Sequence, residues 1–501
     1  MVEEEVYGAH VRLRYATLIN TLTRGLSVFA SLLFVVSVTR RLDVIEFGTW
    51  TMIFKYISYV TPFAVIYSYW LPRTISRGIN TSLTGLFLAF TLGLTATIAY
   101  TSIAYGVSIA FNQPLIPLMI ASIIVFTEYV NSGLRSIVLS HSPQYVGVST
   151  LTLRITQAIL GLLLVVFWRL GLYGAVLAAI LGRVATTMLL LIVNMKVIRR
   201  SSLDFETMRL WIKRAWLPLY SGFTPSILAL DALVVRFFSG SEEPIAYYGI
   251  AFSVLSVVLI STQSLPALYS RLLAKRNIED VVEVYWLIFM ITTPLIMLVI
   301  AYAEPIAAIY SLTYVKASQV LRLFAIASIV QLLTAIFRTT LRGLESRDVN
   351  VENYGLRGTV LFKIPTINLI FTTAYVIILA LTSYLIHDPI LLASTWGIIY
   401  IFRLIAILTS YYRLLKVEFN VNLPIKTLVL YNLKFFISSL IIPIIAFYYP
   451  VEPKLSIYPL LQDLIPALLL AATSYFIILF IIDGKMRDLV RRVFEYLFVR
   501  S

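Results

Sequence analysis

Leu172-Tyr-Gly-Ala-Val-Leu-Ala-Ala-Ile-Leu-Gly-Arg183-Val-Ala-Thr-Thr-Met-Leu-Leu-Leu-Ile-Val-Asn-Met-Lys196 reads as one helix that carries a charge, Arg183, near its middle and no other until Lys196 at its end. At 1.5 Å per residue it is roughly 37 Å long, enough for a hydrocarbon core of about 30 Å. A guanidinium at the centre of such a helix costs about 2.5–3.5 kcal/mol on insertion scales. The stretch therefore sets both the class of the chain, a membrane-spanning helix protein, and its central question: what repays that cost.

The same pattern recurs along the sequence. Of its 501 residues 59% are hydrophobic, and the mean hydropathy is +0.89. Fourteen spans are expected, at about 14–38, 47–71, 82–105, 114–139, 146–168, 172–196, 216–238, 245–269, 284–308, 318–341, 359–385, 390–412, 426–448 and 458–482. The chain opens Met1-Val-Glu-Glu-Glu5 and its first apolar segment is too long for the core of a cleavable signal, so no signal peptide is expected. Connections between spans are short and leave no room for a soluble catalytic domain. Cysteine is absent, and the three histidines, His10, His141 and His387, lie far apart, so no metal site is expected. There is no G-x-x-x-x-G-K-[ST] loop for a nucleotide. Covalent chemistry is not expected.

Charge fixes the expected orientation. With the N-terminus inside, the inner segments hold 26 Lys/Arg and the outer loops six, so both termini are expected to be cytoplasmic in a multi-pass cell-membrane protein. Most of the +15 net charge is then a topology signal rather than a nucleic-acid footprint. The longest break, at residues 200–215, is an amphipathic linker with Leu203, Met208, Leu210 and Trp211 set against Arg209, Lys213 and Arg214. It divides the chain into a lobe at 1–199, a second lobe at 216–417 and a terminal helix pair at 418–484. An interfacial amphipathic tail, with Met486, Leu489, Val490 and Val493 on its apolar stripe, fills 485–501. Phe47-Gly48 after span one is echoed by Tyr248-Gly249 after span seven, 201 residues on. The fold expected is thus an all-α polytopic membrane protein of about fourteen helices: two six-helix lobes related by a pseudo-twofold axis, plus a pair. Pro62, Pro218, Pro225, Pro266 and Pro294 are candidate kinks or hinges.

Eight basic residues sit within spans. Arg322 and Lys363 lie near span ends and can snorkel. Arg24, Lys55, Arg154, Arg183, Arg403 and Lys434 are central, against two deep acids, Glu128 and Asp231. Ion pairing between helices is the alternative reading for any one base, but two acids cannot satisfy six. The six are therefore candidate substrate-binding residues in a wet cationic cavity, and a phosphate or pyrophosphate on a lipid carrier is the matching ligand. The two acids are candidates for coupling or gating: either binds H⁺ or Na⁺, or each pairs with a base until substrate phosphate competes for it. The second option is preferred. No other cofactor is implied.

Several segments resemble the multidrug/oligosaccharidyl-lipid/polysaccharide exporters, and within them the polysaccharide repeat-unit flippases. They are Arg41-Leu-Asp-Val-Ile-Glu-Phe47-Gly48, Pro218-Leu-Tyr-Ser-Gly222 with Leu230-Asp231, Tyr247-Tyr-Gly-Ile-Ala251, and Glu304-Pro-Ile-Ala-Ala-Ile-Tyr-Ser-Leu-Thr-Tyr314 followed by Ala317-Ser-Gln-Val-Leu321. Two departures stand out: Leu42-Asp43 where the family has Leu-Gly, and Ser311-Leu312 where it has Gly before the Tyr. The resemblance implies two lobes in alternating access, moving a polyprenyl-(pyro)phosphate-linked oligosaccharide from the cytoplasmic to the outer leaflet. Arg24 is then the candidate for holding pyrophosphate. The expected partners are that lipid-linked oligosaccharide and membrane lipids, with the chain working as a monomer. The alternatives are an ion-coupled multidrug exporter of the same fold, whose cavity should favour acids and aromatics, and a membrane glycan polymerase or ligase, which calls for a large outer loop absent here.

Overall fold

A computed structural model describes residues 13–76, 78–265, 268–269, 271–272, 276–345, 358–421 and 423–498, and places no strand among them. Two compact units emerge, one formed by residues up to 249 together with 372–389, the other by 250–371 together with 390 onward.

The first unit holds α1 (Leu13–Thr39), α2 (Val44–Val60), α3 (Val65–Ser76), α4 (Ser82–Phe111), α5 (Leu115–Ile120), α6 (Ser122–His141), α7 (Gln144–Gly161), α8 (Gly171–Arg199), α9 (Phe205–Lys213), α10 (Trp216–Ser239) and the start of α11 (Glu243–Val258). The rest of the chain forms α12 (Ile278–Ala301), α13 (Ala303–Tyr310), α14 (Ser318–Leu344), α15 (Val360–Leu385), whose residues from Thr372 on belong to the first unit, α16 (Pro389–Phe419), α17 (Ile425–Ser439), α18 (Ile441–Tyr448), α19 (Ile457–Ile482) and α20 (Gly484–Phe498).

Twelve helical segments among the described residues are long and apolar enough to cross a bilayer, and they fall at the expected spans three to fourteen. α1 occupies the first expected span. The second is broken: α2 ends at Val60, a 3-10 turn runs Thr61–Ala64, and α3 resumes at Val65. Pro62 sits at the start of that turn, where its missing N–H cannot continue the α-helical ladder. Pro225 and Pro294, by contrast, lie inside uninterrupted helices, and Pro266 lies outside the described residues. Large apolar side chains such as Ile98, Ile192, Leu381 and Phe447 point outward from these helices. In water that surface would be a liability; on a multi-pass membrane protein it meets acyl chains.

Each unit has its own aromatic interior. In the first, Tyr67 donates to the Tyr129 carbonyl at 2.7 Å, tying α3 to α6. In the second, Tyr475 of α19 donates to the Met290 carbonyl of α12 at 3.0 Å, beside buried Trp286, Phe289 and Phe435. Within residues 200–215 Asp204 caps α9, and of the apolar residues there Trp211 is buried while Phe205 and Leu210 are exposed. The Thr207 hydroxyl and amide, with the Glu206 amide, donate to the Asp204 carboxylate and hold it below its ordinary range.

The Asp43 departure has a structural role. Asp43 accepts from the Glu46 amide at 2.6 Å, and the Glu46 carboxylate reaches back to the Asp43 amide at 3.4 Å, a capping box that starts α2. The aromatic-glycine echo also takes on meaning. A Cβ on Gly48 would lie 2.4 Å from the Glu242 carbonyl oxygen, and one on Gly249 would lie 2.8 Å from Thr51 Oγ1. Each glycine thus sits where α2 and the start of α11 leave no room for a side chain. Gly48→Ala is expected to lower stability by about 1–3 kcal/mol, because backbone cannot yield as a side chain does. Gly25, with nothing within 4 Å of its Cβ position, is the control, and thermal unfolding in detergent reads both.

Candidate functional site: charges within the spans

The bases and acids singled out above fall into separate groups. α2 and α10 bring Lys55 and Asp231 together at 2.8 Å. The Asp231 side chain has 0% exposure and that of Lys55 19%. Asp231 also accepts from the Tyr375 hydroxyl at 3.1 Å and from the Ala232 amide at 2.7 Å, so its buried charge is met on several sides. Lys55 lies 5.0 Å from the centre of the Tyr248 ring. Around the pair, Tyr59 donates to the Ala229 carbonyl and Ser226 to the Ser58 carbonyl, further bonds between α2 and α10.

A second group is cationic. Arg183 of α8 donates through Nε to Glu128 Oε2 of α6 at 3.2 Å and through Nη1 to the Ala179 carbonyl at 3.1 Å. Asn131, one turn beyond Glu128, donates to the Arg183 carbonyl and accepts from Thr187. Arg154 of α7 donates to Gln157 at 3.1 Å and lies within electrostatic reach of Glu128, Arg183 and Arg135. The expected orientation counts Arg135 among the 26 inner Lys/Arg. It stands instead in α6, seven residues or about two turns from Glu128 and on the same face, with its Nε buried and unpartnered. The i, i+7 spacing to Glu128 was the available signal.

The remaining candidates are placed as follows. Arg24 lies in α1, and its side chain is outside the described residues. Arg403 belongs to the second unit, is 8% exposed, and stands 5.7 Å from the Tyr400 ring centre. Lys434 is not a base left without a carboxylate: Asp483 accepts from it at 3.1 Å and from Trp286 Nε1 at 2.8 Å. Asp483 follows directly on α19 and was missed because it falls one residue beyond the expected span. Lys363 and Arg322 likewise have acids, Glu418 and Glu304. Five residues beyond Asp231 in α10, Arg236 pairs with buried Glu242 at 2.6 Å, and Gln113 joins them to Tyr56. Among the described residues no three His, Asp or Glu side chains gather as metal ligands.

The fold is shared with solved transporters, among them one described as a member of the multidrug/oligosaccharidyl-lipid/polysaccharide superfamily. The MurJ lipid II flippase, in an inward closed conformation, is matched over 95% of this chain and 99% of its own, with a TM-score of 0.65 and 15% identity. An inward-facing multidrug-resistance MATE transporter is matched over 79% and 93%, at 0.57 and 14%. A superfamily transporter from Pyrococcus furiosus, described as having a binding pocket of reverse polarity that suggests a different function, is matched over 80% and 95%, at 0.52 and 14%. These neighbours are transporters and a flippase rather than enzymes, and at such identities the likeness is one of fold. No protein-family model matches the sequence, nor does any curated protein.

Proposed function

We propose that this chain is a flippase that carries a polyprenyl-(pyro)phosphate-linked oligosaccharide from the cytoplasmic to the outer leaflet of the cell membrane, by alternating access through a cationic cavity. The observation that carries this reading is the surplus of guanidinium over carboxylate within spans of the first unit: Arg135, Arg154 and Arg183 share one Glu128. Guanidinium stays protonated where it is partly dry and matches phosphate oxygens two at a time. An organic cation would meet repulsion there, which weighs against the multidrug alternative.

The working parts are residues 1–199 and 216–417 as the two lobes, with 418–484 as an accessory pair. The chain acts as a monomer, with both termini cytoplasmic. Glu128 and Asp231 pair with bases and gate the empty carrier rather than coupling it to H⁺ or Na⁺.

The test is reconstitution with a polyprenyl-pyrophosphate oligosaccharide tagged on its sugar. Protein-containing vesicles should expose the tag to an impermeant quencher faster than empty ones, with no response to an imposed pH or Na⁺ gradient. Uptake of small organic cations without acceleration of the lipid-linked sugar would return the chain to the multidrug reading.

A further inference from the structure

We infer that Arg135, Arg154 and Arg183 form a phosphate-binding site inside the first unit, on α6, α7 and α8, with Glu128 as the counter-ion that phosphate displaces. The inference deepens the proposed function by placing one anchor for the substrate head group, and it rests on that reading only for the identity of the lipid.

Stoichiometry comes first. Three guanidinium groups within electrostatic reach of a single carboxylate leave a local excess of positive charge that like-charge repulsion makes costly in a membrane. A bound phosphate or pyrophosphate ester relieves it.

The second point is valence. Arg183 spends Nε on Glu128 and Nη1 on a carbonyl of its own helix, and Arg154 spends Nη1 on Gln157. Arg135 has a buried Nε with no acceptor, a donor whose desolvation nothing in the described residues repays.

The third is access. The Glu128 side chain is 46% exposed while Arg183 beside it is 12% exposed, so the acid is the partner open to exchange. Asp231, by contrast, has 0% exposure and is enclosed by its donors, so its pair is the less open of the two to an incoming anion.

The experiment uses the full-length protein in uncharged detergent, with inorganic pyrophosphate, farnesyl pyrophosphate and farnesol as probes in calorimetric titration. Wild type should bind both pyrophosphates and not farnesol. Arg135→Gln should weaken binding by about tenfold or more, because a charge-assisted donor is lost. Arg135→Lys, which keeps the charge without the fork, should fall between and serves where the glutamine variant folds poorly. Glu128→Gln should tighten binding, by about threefold or more, because the resident anion is gone. Tighter binding of the prenylated probe assigns the site to a lipid-borne phosphate and equal affinity to a soluble one; either supports it. Unchanged affinity in folded Arg135→Gln, or a loss in Glu128→Gln as deep as in Arg135→Gln, overturns it. Binding as expected with no flipping in vesicles would retire the flippase and leave the site; flipping with affinities unmoved by these variants would retire the site alone.

Discussion

Lys55→Ala should destabilise the protein by about 3–5 kcal/mol, because it leaves Asp231 charged in a place with no exposure to water. The Tyr375 hydroxyl and the Ala232 amide remain as donors, but neither carries charge. Replacing both partners, as Lys55→Met with Asp231→Leu, should recover most of the loss, since an apolar pair of similar volume no longer has a desolvation penalty to meet. Thermal unfolding of purified protein in detergent reads all three. A Lys55→Ala protein that melts within a degree or two of wild type would mean that the pair is reached by water. The sign of the double variant separates an ion pair that holds the helices from one that merely occupies the space between them.

Arg24→Ala should slow translocation of the lipid-linked sugar by about one to two orders of magnitude while leaving folded protein at near-normal yield. Arg24 has no acid at helical spacing, since its i±3 and i±4 neighbours are Asn20, Thr21, Ser27 and Val28. Ser27 is already committed to the Thr23 carbonyl. Loss of a charge-assisted bidentate contact is worth about 1.5–3 kcal/mol, which is roughly one to two orders of magnitude in rate if it is made in the rate-limiting step. Arg24→Lys should rescue in part, since an ammonium keeps the charge and loses the fork. Normal flipping by Arg24→Ala in reconstituted vesicles would remove Arg24 from the binding set.

What the sequence made legible follows from how strong each signal is. An apolar run of twenty residues has one stable solution in lipid, so spans three to fourteen could be placed from hydropathy alone. The break at Thr61–Ala64 was visible only as a proline, a residue that also sits undisturbed at 225 and 294, so local sequence does not separate a broken helix from a tolerated proline. Glu128 and Asp231 could be found, and their number limited how many bases they could neutralise. Which base each takes could not be read, because Lys55 and Asp231 are 176 residues apart and meet only through packing. Arg135 and Asp483 were passed over for a simpler reason. Both lie near the limits of a span, where a position reads equally well as loop or as helix, and only the neighbours decide.

Asp231 also bears on how such a chain can change over time. Its carboxylate is held by residues at 55 and 375, from stretches far apart in the sequence, and by the backbone of its own neighbour. Losing any one side chain strands the others, so single substitutions at these positions lead through an unstable intermediate. Among descendants of a common ancestor, residues 55, 231 and 375 should be inherited as a set or exchanged as a set.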